Sequence, residues 1–531
     1  MDNILKSHEN KTVHNPELVI GLVGPIGVDL EAVQKQITSE LTLLEYDVEL
    51  IKISELMQEF DIGIKIENDT FFNYYQSLIR FADQFRTNAS NHAALAALAI
   101  SEIQTRRQTL QKTATGKSVH NPGDKIEPSL GTAYVIRQFK LPQEIDLMRR
   151  VYGRKFIQVS VYDSREERQT KLVKKIQQYQ GPPKKTQEAS LEASQLINID
   201  ENEESEEYGQ RISDAFHLGD VFVNGSDEEK IELTIKRFFK ALFGNNAISP
   251  SKMEYGMYAA AGAALRSIDL SRQVGAAIFS PNGEVKTLGC NEVPKSFGGT
   301  YWGDDENKHR DFEEGLDANH SRKIGILHDF LSRLSELQYL KDNDQEIQKT
   351  TTSLMKEQKI QESQLMDIIE FGRMVHAEMN AITDAARNGV SIKGDTLFCT
   401  TFPCHMCAKH IVSSGIKNVV FLEPYEKSYA RELHSDSITF DPSEKKEKVL
   451  FEPFLGISPR RYRDIFEKKK RKDSEGTRKD WYEGKPVPRI EDRSPSYIEN
   501  EEPAIVAGGL HSMVKFLDSN PENHPTQEED L

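Results

Sequence analysis

The chain has 531 residues, more than one ordinary domain accommodates, so two or more domains are expected. Its formal net charge is −16, and an acidic chain is a poor general binder of phosphate backbones, which argues against a polynucleotide substrate. Four cysteines are too few for a disulfide framework, the first residues lack the apolar core of a signal peptide, and no apolar run is long enough to span a bilayer. We therefore expect a cytoplasmic protein with no membrane-embedded part.

A strand, a glycine-rich turn and a helix are predicted after a polar tail of residues 1–16. Residues 18–27 (LVIGLVGPIG) have the pattern of a buried strand that runs into the turn, and VDLEAVQKQITSEL after them has helical periodicity. Strand and helix patterns then alternate, which predicts a parallel, three-layer α/β domain over residues 17–245. An acidic insertion at residues 184–209 is predicted to be flexible or helical and to carry no site.

The glycine-rich turn has the layout of a phosphate-binding loop but lacks the residues that handle charge. A P-loop follows the pattern G-x-x-x-x-G-K-[ST], and the candidate nucleotide-binding residues here are Gly24, Gly27, Val28 and Asp29. Asp29 stands where the second glycine is required, and leucine and glutamate replace the lysine and the hydroxyl residue. We predict a degenerate P-loop in a nucleotide-kinase-like domain, with weak nucleotide binding or none.

A second domain is predicted over residues 251–466. It opens with a helix, KMEYGMYAAAGAALRS, and a hairpin with the turn PNG. A long insertion at about residues 295–370 contains Tyr301 and Trp302, which either shape a lid over a base or belong to a surface flap. Residues 467–531 are predicted to form a charged, partly disordered tail, apart from EEPAIVAGGLHSMVKFL, which is expected to dock on the fold.

The stretch from His376 to Cys407 contains zinc-ligand residue types in a recognisable order. Glu378 follows the histidine by two residues, and Cys404 and Cys407 form a Pro-Cys-x-x-Cys unit. The strand-like DTLFCTT and the helical AKHIVSSG flank the cysteines, which would place both thiolates at a helix N-terminus. Two thiolates and one imidazole bind zinc and leave a fourth position for water, whose pKa zinc lowers toward neutrality. Glu378, close to the metal but not bound to it, is predicted to transfer protons.

Two other interpretations of the cysteine pair are weaker. Cys-x-x-Cys also occurs as a redox pair and as half of a structural zinc ribbon. A ribbon needs a second cysteine pair, and the remaining cysteines, Cys290 and Cys399, are not spaced as one. A catalytic zinc site is therefore our prediction.

Several blocks of the chain resemble known families. The second domain resembles the deoxycytidylate deaminase family in SRQVGAAI from Ser271, GCNEVP from Gly289, HAEMNAI from His376 and TTFPCHMCAKHI from Thr400. His-x-Glu followed by Pro-Cys-x-x-Cys is the signature of zinc-dependent nucleobase deaminases. The blocks RRVYGRKF, GGTYWGDD, RDF and LEPYEKS make the whole chain similar to the bacterial anti-phage dCTP deaminases, which fuse a P-loop-kinase-like domain to the deaminase.

The resemblance implies a cytidine-deaminase-like α/β/α second domain that hydrolytically deaminates dCTP, dCMP or both and so drains the pyrimidine pool during phage infection. It implies control by a small RNA in some members and by an allosteric nucleotide in others, with the first domain as sensor, and assembly as a homo-oligomer. By residue, it implies Zn²⁺ ligands at His376, Cys404 and Cys407, a proton shuttle at Glu378 and a sugar contact at Asn291. Arg272 and Lys295 are candidates for binding phosphates on position alone.

Two other functions compete with this prediction. A polynucleotide deaminase acting on tRNA or single-stranded DNA would need a basic, aromatic channel for the flanking nucleotides. The acidic chain and Asn291 favour free nucleotides instead. A non-enzymatic nucleotide sensor would keep zinc for its fold but have no turnover.

Overall fold

A computed structural model of the chain describes residues 15–115, 126–179, 184–201, 209–340, 344–361, 363–423, 428–490, 497–510 and 512–513. The contacts divide the chain into two compact units: Met1–Pro250 with Leu455–Leu531 is unit 1, and Ser251–Phe454 is unit 2. Most of the polar tail, acidic residues 202–208 and residues 424–427 of the LEPYEKS block lie outside the described residues. No helix in the described ranges is both long enough and apolar enough to cross a membrane.

Unit 1 contains a sheet with five parallel strands. The strands are β1 (Leu18–Val23), β2 (Asp47–Lys52), β3 (Thr132–Arg137), β4 (Phe156–Tyr162) and β5 (Val221–Asn224). The helices are α1 (Leu30–Leu43), α2 (Ile53–Leu56), α3 (Phe71–Ala89), α4 (Ala94–Thr115), α5 (Pro142–Tyr152), α6 (Arg165–Gln178), α7 (Thr186–Glu201), α8 (Ile212–Phe216) and α9 (Glu228–Leu242). The parallel strands lie in the order β2-β3-β1-β4-β5, which places β1 in the middle of the sheet.

Alternate residues of β1 pack into two different hydrophobic cores, one on each face of this sheet. Val19 and Val23 pack with residues of α3, α4 and α5. Leu18, Ile20 and Leu22 pack with residues of α1 and α9. A parallel strand that is covered on both faces needs apolar side chains along its whole length, which explains the uninterrupted run LVIGLV. The layers of unit 1 are therefore helix, sheet and helix, while its nucleotide-kinase-like identity stays a prediction.

The first part of the acidic insertion is helical and reaches the glycine turn. It forms α7, which packs against α6 and α3. Asp200, near the end of α7, is buried and accepts a hydrogen bond from Ile26 N in the turn, at 2.6 Å. The sequence interpretation included no contact of this kind, because nothing in the local pattern distinguishes Asp200 from the acidic residues that follow it.

Unit 2 contains a second sheet, of six strands. These are β6 (Gly275–Phe279), β7 (Val285–Cys290), β8 (Thr396–Thr401), β9 (Asn418–Glu423), β10 (Ile438–Thr439) and β11 (Val449–Pro453). Its helices are α10 (Lys252–Ala264), α11 (Asp311–Glu314), α12 (Ala318–Glu336), α13 (Asp344–Leu354), α14 (Gln358–Gln361), α15 (Ala377–Arg387), α16 (His405–Ser413) and α17 (Ala430–Leu433). The order is β7-β6-β8-β9-β11-β10, with antiparallel pairing from β7 to β8 and parallel pairing from β8 to β10.

The predicted hairpin and the helices around it build the layers of unit 2. Strands β6 and β7 pair antiparallel across the turn, where Gly283 has a φ of +98° that favours glycine. Helix α10 packs on β6 from one face, and α15 packs on β7 from the other, next to α16. Within the long insertion, α12 and α13 form a separate small core. The predicted α/β class is confirmed, since both units contain a sheet rich in parallel strands.

The chain returns to unit 1 after residue 454. Strand β12 (Gly456–Ile457) pairs antiparallel with β5 and is followed by α18 (Pro459–Phe466). Helix α19 (Tyr497–Ala507) packs against α4 and α5. It contains the first part, EEPAIVA, of the segment that the sequence suggested would dock on the fold.

Candidate metal centre and active site

Two helix N-termini bring the predicted zinc ligands together. His376 is the N-cap residue of α15, and Cys404 is the N-cap residue of α16. Cys407 lies in the first turn of α16, so a two-residue gap directs both sulfur atoms to the same side. The positive ends of two helix dipoles point toward this place, which favours thiolates over thiols.

The three side chains form a group that fits a zinc ion. His376 Nδ1 lies 3.4 Å from Cys404 Sγ and 3.4 Å from Cys407 Sγ. One ligand atom from each residue lies within 4.8 Å of the other two. Tetrahedral zinc with ordinary bond lengths separates a nitrogen and a sulfur ligand by roughly 3.5 Å, so the observed spacing matches. The two other cysteines, Cys290 and Cys399, are buried and free elsewhere in the sheet.

The protonation of the cysteine pair also suits a cation. The hydrogen bond with Cys407, aided by His376, lowers the pKa of Cys404 to about 4 despite its burial. The same hydrogen bond and burial raise the pKa of Cys407, so the pair shares one proton at neutral pH. The hydrogen bond to Cys404 raises the pKa of His376. Because thiols must lose their protons to ligate a metal, the proton that the cysteine pair holds would be released when a metal binds.

Glu378 lies beside this group and is buried. It is the second residue of α15, and its Oε2 accepts a hydrogen bond from Cys407 Sγ at 3.5 Å. Burial raises the pKa of Glu378, and the Cys404 thiolate raises it further. A carboxyl group whose pKa is shifted upward by burial can both take and release a proton near neutral pH.

The orientation of the Asn291 side chain is fixed by backbone contacts. Its Oδ1 accepts a hydrogen bond from Val274 N at 2.7 Å, and its Nδ2 donates to Arg272 O at 2.8 Å. The next residue, Glu292, pairs with Val375, which directly precedes the histidine ligand candidate. This bridge places the end of β7 at the edge of the site.

The two phosphate-binding candidates are each paired with a carboxylate. Arg272 forms an ion pair with Glu423 at 3.0 Å. Lys295 contacts both carboxylate oxygens of Asp305 at 3.0 Å. Both cations therefore have internal partners that an incoming phosphate would have to share or replace.

Two features of this region were not anticipated from the sequence. Asp269 accepts hydrogen bonds from Ser271 N and Arg272 N through Oδ1, while its buried Oδ2 has no hydrogen-bond partner among the described residues. The charge of Asp269 is close enough to contribute to the raised pKa of His376. In addition, Arg266 stacks on the Trp302 ring at 3.6 Å, which holds this part of the insertion. A lone aspartate and a lone arginine carry no spacing signal, so only the fold identifies them.

The candidate residues of the degenerate P-loop lie in unit 1. Gly27 and Val28 line a cavity there, and Gly27 has a φ of +96°. Asp29 caps α1 by accepting a hydrogen bond from Ala32 N at 3.0 Å. Gly24 O accepts a hydrogen bond from Lys140 Nζ at 3.2 Å.

A tight contact between β7 and α15 gives the first testable prediction. A Cβ atom on Gly289 would meet the backbone of α15 at Ala377 O and, at 2.6 Å, at Ala381 N. We expect Gly289→Ala to push α15 outward, which would destabilise unit 2 by about 1–3 kcal/mol and weaken zinc binding at least about tenfold. A competition titration against a chromophoric chelator, together with a thermal melt, measures both effects.

Gly262→Ala is the matched control, because it lies in α10 with no atom within 4 Å of an added Cβ. It should leave zinc affinity unchanged and leave stability equal or slightly higher. Normal zinc affinity in Gly289→Ala would show that the position of α15 does not depend on this contact.

Comparisons with known proteins match part of the chain. Residues 250–423 match the family model described as the cytidine and deoxycytidylate deaminase zinc-binding region. This match and the group of one histidine and two cysteines together confirm the zinc prediction.

Individual relatives match over short segments. The deoxycytidylate deaminase of Enterobacteria phage T2 is 56% identical over 54 residues, which are 10% of this chain and 29% of that protein. ComE operon protein 2 of Bacillus subtilis (strain 168) is 38% identical over 80 residues, 15% of this chain and 42% of that protein. The chain thus spans less than half the length of these relatives. A dCMP deaminase structure from cyanophage S-TIM5, in complex with dCMP and dUMP, is 20% identical over 39% of this chain and 98% of its own, with a TM-score of 0.23.

Proposed function

We propose that unit 2 catalyses the zinc-dependent hydrolytic deamination of deoxycytidine nucleotides, dCMP, dCTP or both, to the deoxyuridine nucleotides. The observation that supports this most strongly is the buried carboxyl group of Glu378 directly beside the group formed by His376, Cys404 and Cys407. A structural zinc site has no use for a buried carboxyl group outside its ligand set, whereas a hydrolytic deaminase requires one.

The roles of the residues follow from their positions. His376, Cys404 and Cys407 would hold the zinc ion, which when bound acts as a Lewis acid toward water. Glu378 takes a proton from the attacking water and delivers it to the ring nitrogen and then to the departing amine. Water thereby adds to C4 of cytosine, ammonia leaves, and a carbonyl group remains.

Substrate binding is assigned to the residues around this centre. Asn291 has a second N–H and a second lone pair available to a sugar hydroxyl, and its orientation is fixed by its two backbone contacts. Asp269 Oδ2, which has no hydrogen-bond partner within the described ranges, is a further acceptor for a hydroxyl group. Arg272 and Lys295 would bind the phosphates by exchanging their carboxylate partners for phosphate oxygens.

A substrate panel tests this proposal against polynucleotide deamination. The purified full chain is incubated with dCMP, dCTP and a cytosine-containing single-stranded oligonucleotide, and uracil formation is measured by chromatography. We expect the free nucleotides to be deaminated and the oligonucleotide to remain unchanged, because the net charge of −16 opposes a phosphate backbone. Deamination of the oligonucleotide alone would show that the substrate class is wrong.

We further propose that unit 1 regulates the deaminase and that the protein depletes pyrimidine nucleotides in the cytoplasm during phage infection. The resemblance to the fused anti-phage deaminases supports this role, with a small RNA or a nucleotide as the regulator and a homo-oligomer as the assembly. The panel repeated with and without dTTP and cellular RNA identifies the regulator. A plaque assay of cells that express the chain or its Glu378→Gln variant tests the defence role.

A further inference from the structure

Unit 1 contains a cavity at the carboxyl ends of three parallel strands. It has a volume of about 310 Å³ and is lined by the segments that follow β1, β2 and β3, together with α3. Ligands of open parallel sheets bind outside the carboxyl ends of the strands. The volume lies at the small end of the range of about 300–1,000 Å³ that is usual for small-molecule sites.

One wall of the cavity is aromatic. Phe71, Tyr74 and Tyr75 of α3 all line it. The rings of Phe71 and Tyr75 lie 4.6 Å apart, and those of Tyr74 and Tyr75 lie 5.3 Å apart at a right angle. Aromatic side chains of this kind provide stacking surfaces for a planar ring.

Several positively charged side chains also line the cavity. Arg137 and Lys175 line the cavity, and neither forms an ion pair or a side-chain hydrogen bond with any residue of the described ranges. The other cations that line the cavity are paired: Lys52 with Glu55, Arg86 with Glu144, and Lys140 with Asp200. In addition, Gln138 Oε1 is buried and has no hydrogen-bond partner in the described part of the chain. Counted over the described residues, the lining thus offers two cations without an ion-pair partner and one polar atom without a hydrogen-bond partner.

A carboxylate of the protein occupies the part of the glycine turn where an anion would bind. Asp200 Oδ2 accepts a hydrogen bond from Ile26 N at 2.6 Å, and Asp200 Oδ1 accepts one from Lys140 Nζ at 2.5 Å. A backbone amide and an ammonium group in this arrangement are the contacts that phosphate groups receive at glycine turns. Asp200 is about 2% exposed, so the internal carboxylate fills these contacts completely in this structure.

We propose that this cavity binds a small molecule with a planar ring and an anionic group, of the nucleoside monophosphate class. The ring lies against Tyr74 and Tyr75, and the anionic group binds Arg137. When the anionic group also binds Lys140 and the Ile26 amide, it displaces the Asp200 carboxylate from them. The end of α7 is then released from the glycine turn. Asp200 is therefore an internal competitor of the ligand. This inference concerns unit 1 and does not depend on the proposed deaminase activity.

Isothermal titration calorimetry of the full chain tests the site with AMP, GMP, dTMP and UMP as probes. Cytosine nucleotides are left out, so that a failure here says nothing about deamination. We expect at least one of these nucleotides to bind, with an affinity that falls at least about tenfold in Arg137→Gln and rises about tenfold in Asp200→Asn. Tyr74→Ala should also weaken binding about tenfold, which provides a second variant if the arginine variant does not fold.

The controls change the same residue types outside the cavity. Arg80→Gln on α3 and Glu188→Gln on α7, both at exposed positions, should bind like the unmodified chain. The proposal is overturned if none of the nucleotides binds at millimolar concentration to the unmodified chain or to Asp200→Asn. It is also overturned if binding does not respond to Arg137→Gln and Tyr74→Ala, or if inorganic phosphate alone binds as tightly as the nucleotides.

Discussion

Glu378→Gln is expected to lower the rate of deamination about 10²–10⁴-fold without a loss of bound zinc. Glutamine has the same size and fills the same buried position at the start of α15, so packing should be conserved. It cannot accept and release a proton, and general acid–base catalysis contributes a factor of this size. The measurement is kcat with dCMP and dCTP, with zinc determined by elemental analysis of the same preparation.

The control for this variant is Asp384→Asn, which removes a carboxylate from the same helix. Asp384 is partly exposed and pairs with Arg387, at the far end of α15 from the metal ligands. Its replacement should change kcat less than twofold, because surface ion pairs contribute little. If Glu378→Gln retained more than a tenth of the activity, another group would have to transfer the proton. If it lost zinc, Glu378 would act on the metal site instead of the substrate.

The sequence was sufficient to predict the metal group because its members are close along the chain. His376 and Cys407 are separated by one helix, one strand and one helix start, and each of these elements has a clear local pattern. Zinc requires a tetrahedral arrangement of its ligands, so few arrangements of these three side chains are compatible with their spacing in the sequence. The position of Glu378 beside the metal group could be predicted because Glu378 lies two residues after His376, at the start of the same helix.

The contacts of the other predicted residues depend on distant parts of the chain. Arg272 pairs with Glu423, 151 positions away, and no local pattern indicates that partner. Asp200 approaches Ile26 from 174 positions away, in a segment whose composition favours disorder. Sequence periodicity indicates which face of a helix is apolar but not which charged residue of another segment meets it, so these pairs required the fold.

Arg107→Met is expected to destabilise unit 1 by about 3–5 kcal/mol. Arg107 is fully buried and holds Glu501 of α19 through two hydrogen bonds of 2.7 and 2.8 Å, and Glu17 through one of 2.8 Å. Burial alone would lower the pKa of Arg107, but these two carboxylates raise it, so the charge is retained in the core. Methionine would leave both carboxylates buried without the guanidinium group that pairs with them.

The two tryptophans allow the effect to be assigned to one unit. Trp481 packs on the core of unit 1, and Trp302 belongs to unit 2. When Trp302 is replaced by phenylalanine, the tryptophan fluorescence comes from Trp481 and reports the unfolding of unit 1 in urea. Arg106→Met is the matched control. Arg106, the neighbour of Arg107 on α4, is 29% exposed, so its replacement should cost about 1 kcal/mol or less.

A second substitution separates the charge effect from the loss of packing. Glu501→Leu in the Arg107→Met background should recover part of the lost stability, because it removes one of the stranded carboxylates. Tyr152 would then lose its hydrogen bond to Glu501, so the recovery should be incomplete. If the single variant were as stable as the unmodified chain, the ion group would not be what attaches α19 to unit 1. The attachment would then depend on the apolar contacts of Ala504 and Ile505, which contribute to the same core.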